Sequence, residues 1–214
     1  MNFDQKNRLF KYSICVSGAA DGPTVKESAH LATQLGEAIA KTGQILTTGA
    51  TIGLPYYAAV AASKAGGISI GFSPASSLRE HLRKYRLPYD CYNFINFTGM
   101  NYVGRDLYLV QSSEAVITVG GRFGSLHEFT SALESGKPCG VLLGSGGTAD
   151  IIPSLTRALD PRFNDLVVYS TDPADLVNKI IAVLDFKNKD IHDQLKAHDE
   201  YWFLHHSPKT SRSG

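Results

Sequence analysis

Residues 114–129 read EAVITVGGRFGSLHEF, and the fold turns on how they are parsed. The first six are an apolar run of strand length, suited to a strand buried on both faces. The segment LHEFTSALESG (126–136) has helical spacing and stops at a glycine. Between strand and helix stand Gly120, Gly121, Gly124 and Ser125. Glycines let a backbone turn sharply and approach a ligand with no Cβ in the way. The helix that follows offers unpaired N–H groups at the positive end of its dipole. The corner is therefore either a tight turn alone or a phosphate site, and its spacing favours the phosphate site.

Working outward, apolar runs alternate with helical patterns along the whole chain. Strand runs are YSICVS (12–17), QILTT (44–48), ISIGF (68–72), YNFINF (92–97), EAVITV (114–119), PCGVLLG (138–144) and LVVYS (166–170). Helical patterns lie between them: 27–43, 54–67, 76–86, 104–113, 126–136, 149–159 and 172–186. Such alternation predicts an α/β fold, a Rossmann-like, doubly wound and mostly parallel sheet with helices on both faces. Sheets of this kind bind ligands beyond the carboxyl ends of their strands, where strand order reverses. Three glycine-rich loops fall at those ends: SGAADGP after the first strand, TGATIGLP after the second and VGGRFGS after the fifth. Ser17, Gly18, Gly49, Gly53, Gly120, Gly121, Gly124 and Ser125 are thus the candidates for phosphate or nucleotide binding.

Composition narrows the function classes. At 214 residues with 43% hydrophobic content the chain has the size and core of one domain. That domain is expected over residues 1–186, with a polar helical segment and tail over 187–214. A formal net charge of +1 supplies no broad basic field for nucleic acid or an anionic membrane, so neither is an expected partner. Cys15, Cys91 and Cys139 show no metal-site spacing, and an odd count without a framework fits a reducing compartment. The opening residues carry neither a signal peptide nor a spanning run, so the expected location is cytoplasmic. Trp202, Phe203 and Leu204 are expected to dock the tail, and His205 and His206 to be solvated. No metal or cofactor is implied.

Two side chains carry competing readings. Glu128 closes a Ser125–Leu126–His127–Glu128 box in which the serine caps a helix and the glutamate returns the bond. Alternatively it points into the crevice, able to activate water or to stabilise positive charge on a ribose ring. Arg105, at the start of the helix before the fifth strand, is either a solvated or salt-bridged surface residue or a site residue. His127, adjacent to Glu128 and so on another helix face, reads as structural. The cluster Arg79, Arg83, Lys84 and Arg86 reads as a solvated face. A nicotinamide site is disfavoured, because the first loop lacks G-x-G-x-x-G and the second strand ends in Thr47 and Thr48 rather than an acid. The corner also lacks the Gly-Lys-Ser/Thr of a nucleotide triphosphatase.

Taken in this order, the loops resemble the LOG family, Rossmann-like proteins once named lysine decarboxylases. TGATIGLPY stands for the family's Gly-Gly-Gly-x-x-Gly-Leu-Met-Gly loop, and VGGRFGSLHE for its Pro-Gly-Gly-x-Gly-Thr-x-x-Glu. The resemblance covers about Lys11 to Leu184. It implies a nucleoside 5′-monophosphate phosphoribohydrolase that releases free base and ribose 5-phosphate, with Arg105 and Glu128 as the catalytic pair and the GGRFGS amides on the phosphate. It also implies a homodimer or higher homo-oligomer. Val119 replaces the motif's proline, Ser125 its threonine, and Asp106 stands where the cytokinin-activating members have a lysine. GLPYYAA is closer to the branch that resembles molybdenum-cofactor carrier proteins, which bind without cleaving. A non-catalytic nucleotide or molybdenum-cofactor carrier is therefore the alternative.

Overall fold

The computed structural model of the chain describes residues 11–159 and 161–191. The expectations for residues 1–10 and for the tail from 192, with Trp202 to Leu204, His205 and His206, lie outside the described residues. Seven strands are present among those described: β1 (Ser13–Gly18), β2 (Ile45–Thr48), β3 (Ile68–Ser73), β4 (Phe94–Phe97), β5 (Ala115–Val119), β6 (Cys139–Leu142) and β7 (Val167–Ser170). Seven helices connect or follow them: α1 (Pro23–Lys41), α2 (Leu54–Lys64), α3 (Leu78–Arg83), α4 (Asn101–Gln111), α5 (Phe123–Glu134), α6 (Gly147–Leu159) and α7 (Pro173–Lys187). A 3-10 helix spans Pro161–Leu166.

The strands form one sheet in the order β4-β3-β2-β1-β5-β6-β7, and every neighbouring pair is parallel. The chain winds one way from β1 to β4, returns to the middle as β5, and winds the other way to β7. Strand order therefore reverses between β1 and β5, which pair from Ile14↔Ala115 to Gly18↔Val119. This is the doubly wound sheet the sequence predicts.

Strand alternation splits the core into two layers. Ile14, Val16, Leu46 and Ile117 pack with Leu35 and Ile39 of α1, Ala58 of α2 and Ile180 of α7. Cys15, Val116 and Val141 face the other way, against Leu109 of α4, Phe129 of α5 and Ile152 of α6. Each such aliphatic side chain contributes about 1.5–3 kcal/mol by leaving water. The α1 and α2 helices touch through backbone, since a Cβ on Gly36 would lie 2.0 Å from the Ala58 carbonyl oxygen. Cys15, Cys91 and Cys139 are free thiols in the interior. Among the described residues no helix is long and apolar enough to cross a membrane.

Four helices start earlier than apolar spacing indicates. α1 opens at Pro23, α4 at Asn101, α5 at Phe123 and α6 at Gly147. The added residues are mostly polar, glycine, proline or exposed apolar positions that periodicity alone does not assign. The shift at α5 matters most, because it places Gly124 and Ser125 inside the helix rather than before it.

Candidate functional site

A cleft of about 180 Å³ opens at the carboxyl ends of β1, β2 and β5, at the reversal of strand order. One wall is built by Gly18, Ala19 and Ala20 after β1 and by Gly49, Thr51 and Pro55 after β2. The opposite wall is the start of α5, with Arg122, Gly124 and Ser125, and α4 supplies Tyr102. Arg105, Asp106 and Glu128 reach the same cleft, yet each is at most 7% exposed.

These three side chains form one buried polar cluster. Arg105 Nη1 donates to Glu128 Oε1 at 2.9 Å and lies 3.0 Å from Asp106 Oδ1. The other oxygen of Glu128 accepts from the Ser17 hydroxyl on β1. The other oxygen of Asp106 meets His127 Nδ1 at 3.1 Å, and that imidazole is partly exposed. Arg105 Nε is buried and lacks a hydrogen-bond partner among the described residues. One cation thus serves two carboxylates in a space largely closed to water. Burial pushes the Glu128 carboxyl up to about 7, with Asp106 adding to the rise and Arg105 opposing it.

Each glycine of the loops has its own task. Gly49 carries no Cβ because one would fall 2.3 Å from Arg105 Nη1, so this residue makes room for the guanidinium. Gly53, at φ 79°, passes so close to the first loop that a Cβ would meet the Ala19 carbonyl at 2.3 Å. Gly120 and Gly121, with φ of 56° and 104°, turn the β5–α5 corner. Gly124 has open space where a Cβ would go.

The amides at the helix starts divide in the same way. At α2 the Leu54 N–H bonds the Ala19 carbonyl, Pro55 has no N–H, and Tyr56 bonds the Gly53 carbonyl. At α5 the first intrahelical bond runs from Leu126 N–H to the Arg122 carbonyl, and no side chain caps the terminus. The amides of Phe123, Gly124 and Ser125 therefore have no acceptor within the helix and face the cleft end of it. The corner is braced from behind. Ser145 Oγ accepts from Gly120 N–H and donates to the Leu142 carbonyl, and its own carbonyl accepts from Ser28. Thr148 and Ala149 at the start of α6 donate to Gly121 and Gly120.

The likeness to known proteins follows this geometry. A model of the SLOG cluster4 family matches residues 11–177. The chain belongs to that family. Two solved SLOG-fold structures are similar over nearly their whole length. The molybdenum cofactor binding protein from the phototrophic bacterium Rippkaea orientalis is 27% identical, covering 83% of this chain and 99% of its own, at a TM-score of 0.68. The molybdenum cofactor carrier protein of Chlamydomonas reinhardtii is 27% identical, covering 82% and 99%, at 0.67. An uncharacterized protein from Archaeoglobus fulgidus is 30% identical over 130 residues, 61% of this chain and 78% of that one.

The SLOG-type cleft gathers most of the residues singled out in the sequence. Gly18, Gly49, Arg105, Gly124, Ser125 and Glu128 line it. Ser17 lies behind Glu128 and holds it, while Gly53, Gly120 and Gly121 shape the loops without lining the cleft. Two open alternatives are decided and one reading gains a partner. The capping box does not form, because α5 begins at Phe123 and Glu128 turns to Arg105 and Ser17. Arg105 is buried rather than a surface residue. His127 joins the polar cluster through Asp106 instead of standing apart. Sequence reasoning missed that α4 and α5 lie side by side, so that two adjacent residues of each helix interlock: Arg105 with Glu128, and Asp106 with His127. The only sequence sign was two neighbouring ionisable pairs on consecutive helices. Arg79, Arg83, Lys84 and Arg86 are exposed, as expected of a solvated face.

Proposed function

We propose that the cleft binds a phosphorylated small molecule and that the protein holds it rather than cleaving it, a molybdenum-cofactor-like phosphorylated pterin being the favoured class. The observation that carries this reading is the state of the Arg105–Glu128 pair. Both oxygens of Glu128 are engaged, one by Arg105 and one by Ser17, and Arg105 is shared with Asp106. With each oxygen already accepting one bond and the group only 7% exposed, Glu128 is committed to Arg105 and Ser17 and turns little of its acceptor capacity to water or to an oxocarbenium ion. The phosphate sits at the start of α5, on the unpaired first-turn amides and beside Arg122. The ring system lies against Tyr102, where the cleft wall is aromatic. A volume of about 180 Å³ is below the ~300 Å³ at which small-molecule sites begin. The cleft therefore takes the phosphate and the nearest ring, and the remainder projects over the rim.

The names of the two solved relatives agree with this reading. Hydrolysis of a nucleoside 5′-monophosphate is the second reading, and one observation favours it. Glu128 is raised to about 7, the range in which a carboxyl group works as an acid or base.

The same reading makes the protein a homodimer. Met100 at the cap of α4 and Val103 and Leu107 along it expose apolar surface, and Phe123 at the start of α5 is 89% exposed. A second copy seated there covers this surface and closes the rim. Sedimentation should give a dimer that Leu107→Lys converts to a monomer.

The deciding experiment is a direct titration with a phosphorylated pterin and with AMP, beside an assay for free base over a panel of monophosphates. Binding without base release supports the carrier. Base release that vanishes in Glu128→Gln replaces it with the hydrolase, and neither binding nor release overturns both.

A further inference from the structure

The cluster at the cleft floor holds more negative than positive charge. Arg105 is its one buried cation, and Asp106 and Glu128 both draw on the same Nη1, at 3.0 and 2.9 Å. Other groups turned toward Glu128 do little to offset this. From β1 come the Ser17 hydroxyl and, beneath it, the buried Cys15 thiol, whose ionisation Glu128 and Asp106 oppose. From α4 comes the Tyr102 phenol, and from the segment before β4 the Tyr92 phenol, both within the field of Arg105. From α5 come Arg122, exposed at the mouth, and His127, which meets Asp106 rather than Glu128. The loop after β2 contributes Gly49, Thr51 and Pro55, none of which titrates.

Resting on the reading that an anionic ligand occupies this cleft, we propose that Asp106 is a positioning residue that makes ligand binding depend on the uptake of one proton. Asp106 stands 3.0 Å from Arg105 Nη1 as an ion pair, so it competes with any incoming anion for that cation and adds its charge beside Glu128. When a phosphate dianion arrives at the α5 amides, beside the exposed Arg122, its charge adds to those of Asp106 and Glu128 around one buried guanidinium. The least costly relief is a proton on Glu128, the carboxyl that burial already raises. Binding therefore favours acid, and the ligand is released as pH rises. Burial already holds the Glu128 carboxyl at about 7, so the proton is gained and lost near neutrality.

The test is calorimetric titration with AMP and with a phosphorylated pterin in two buffers of different ionisation enthalpy, at about pH 8, where a phosphate ester is already a dianion. The wild-type protein should take up about one proton per ligand, and its affinity should fall about tenfold from pH 7.5 to 8.5. Asp106→Asn should bind with almost no proton uptake and a flat pH profile, a change that loss of packing alone would not produce. Should that variant fail to fold, Glu128→Gln is expected to abolish uptake in its place. Binding without uptake in the wild type, or undiminished uptake in either variant, overturns the inference and leaves the proposed function standing. No binding of either probe between about pH 6 and 8.5 refutes the proposed function, and the inference with it.

Discussion

The β2–α2 corner and the β5–α5 corner look alike in sequence: each is a strand, a few glycines and a helix. They differ in one glycine and in the amides of the helix that follows. At β2–α2 the glycines admit other parts of the protein, the Arg105 guanidinium at Gly49 and the Ala19–Ala20 backbone at Gly53. The α2 amides are already spent on Ala19 and Gly53. At β5–α5 Gly120 and Gly121 are crowded too, by Thr24, Leu54 and Ser125, but Gly124 leaves space, with nothing near its Cβ direction and no cap on the first turn of α5. A glycine-rich corner is thus a ligand site only where the room it makes stays unfilled. The first corner holds the second one's partner in place, because it is Gly49 that lets Arg105 reach Glu128.

The comparison can be broken in four places. Arg105→Ala has the largest effect, since it leaves Asp106 and Glu128 buried together with no cation. It should cost about 3–5 kcal/mol near pH 8, and less in acid where a proton relieves the repulsion, as urea unfolding at two pH values will read. Gly53→Ala follows, at about 2–3 kcal/mol, because its φ of 79° and the Ala19 carbonyl both exclude a side chain. Next is the pH dependence of the wild type. Glu128 ionises near 4.5 in the unfolded chain and near 7 in the folded one, so between those values the folded state binds more protons. Stability should therefore fall as pH rises across that window, by about 1–3 kcal/mol, and Glu128→Gln should flatten the slope. Gly124→Ala is smallest and sharpest. Set in open space within a helix, it should leave stability equal or raise it by up to about 1 kcal/mol. It should nevertheless weaken binding of a phosphorylated pterin, because its methyl group enters the mouth of the cleft. Equal stability losses for Gly53→Ala and Gly124→Ala would erase the distinction between the corners.

Legibility in the sequence followed the range of the interaction. Strand periodicity is local, and all seven strands stand where the apolar runs are, down to Cys15 and Cys139 in the buried layer. The parallel, doubly wound order follows from alternation alone, because crossovers through helices leave few other arrangements. Helix starts were less legible, since the turn before Leu126 has no apolar repeat to mark it. The capping box at Ser125 was a valid local pattern that lost to a tertiary one. Glu128 gains an ion pair and a hydroxyl, where the box would have offered one backbone N–H. That choice depends on α4 lying beside α5, a contact between residues 23 apart that no spacing rule encodes. The partnership of Asp106 with His127 was hidden for the same reason.

Ser145 lies outside the cleft, yet it ties the β5–α5 corner to the end of β6 and to α1: its hydroxyl serves Gly120 and Leu142, and its carbonyl serves Ser28. In evolutionary terms the corner is therefore not a cassette that can be exchanged alone. A lineage that loses the hydroxyl at position 145 strands the Gly120 amide and must rebuild the turn. Diversification of ligand choice is channelled instead to side chains at the cleft mouth that hold no other element, that of Arg122 first among them.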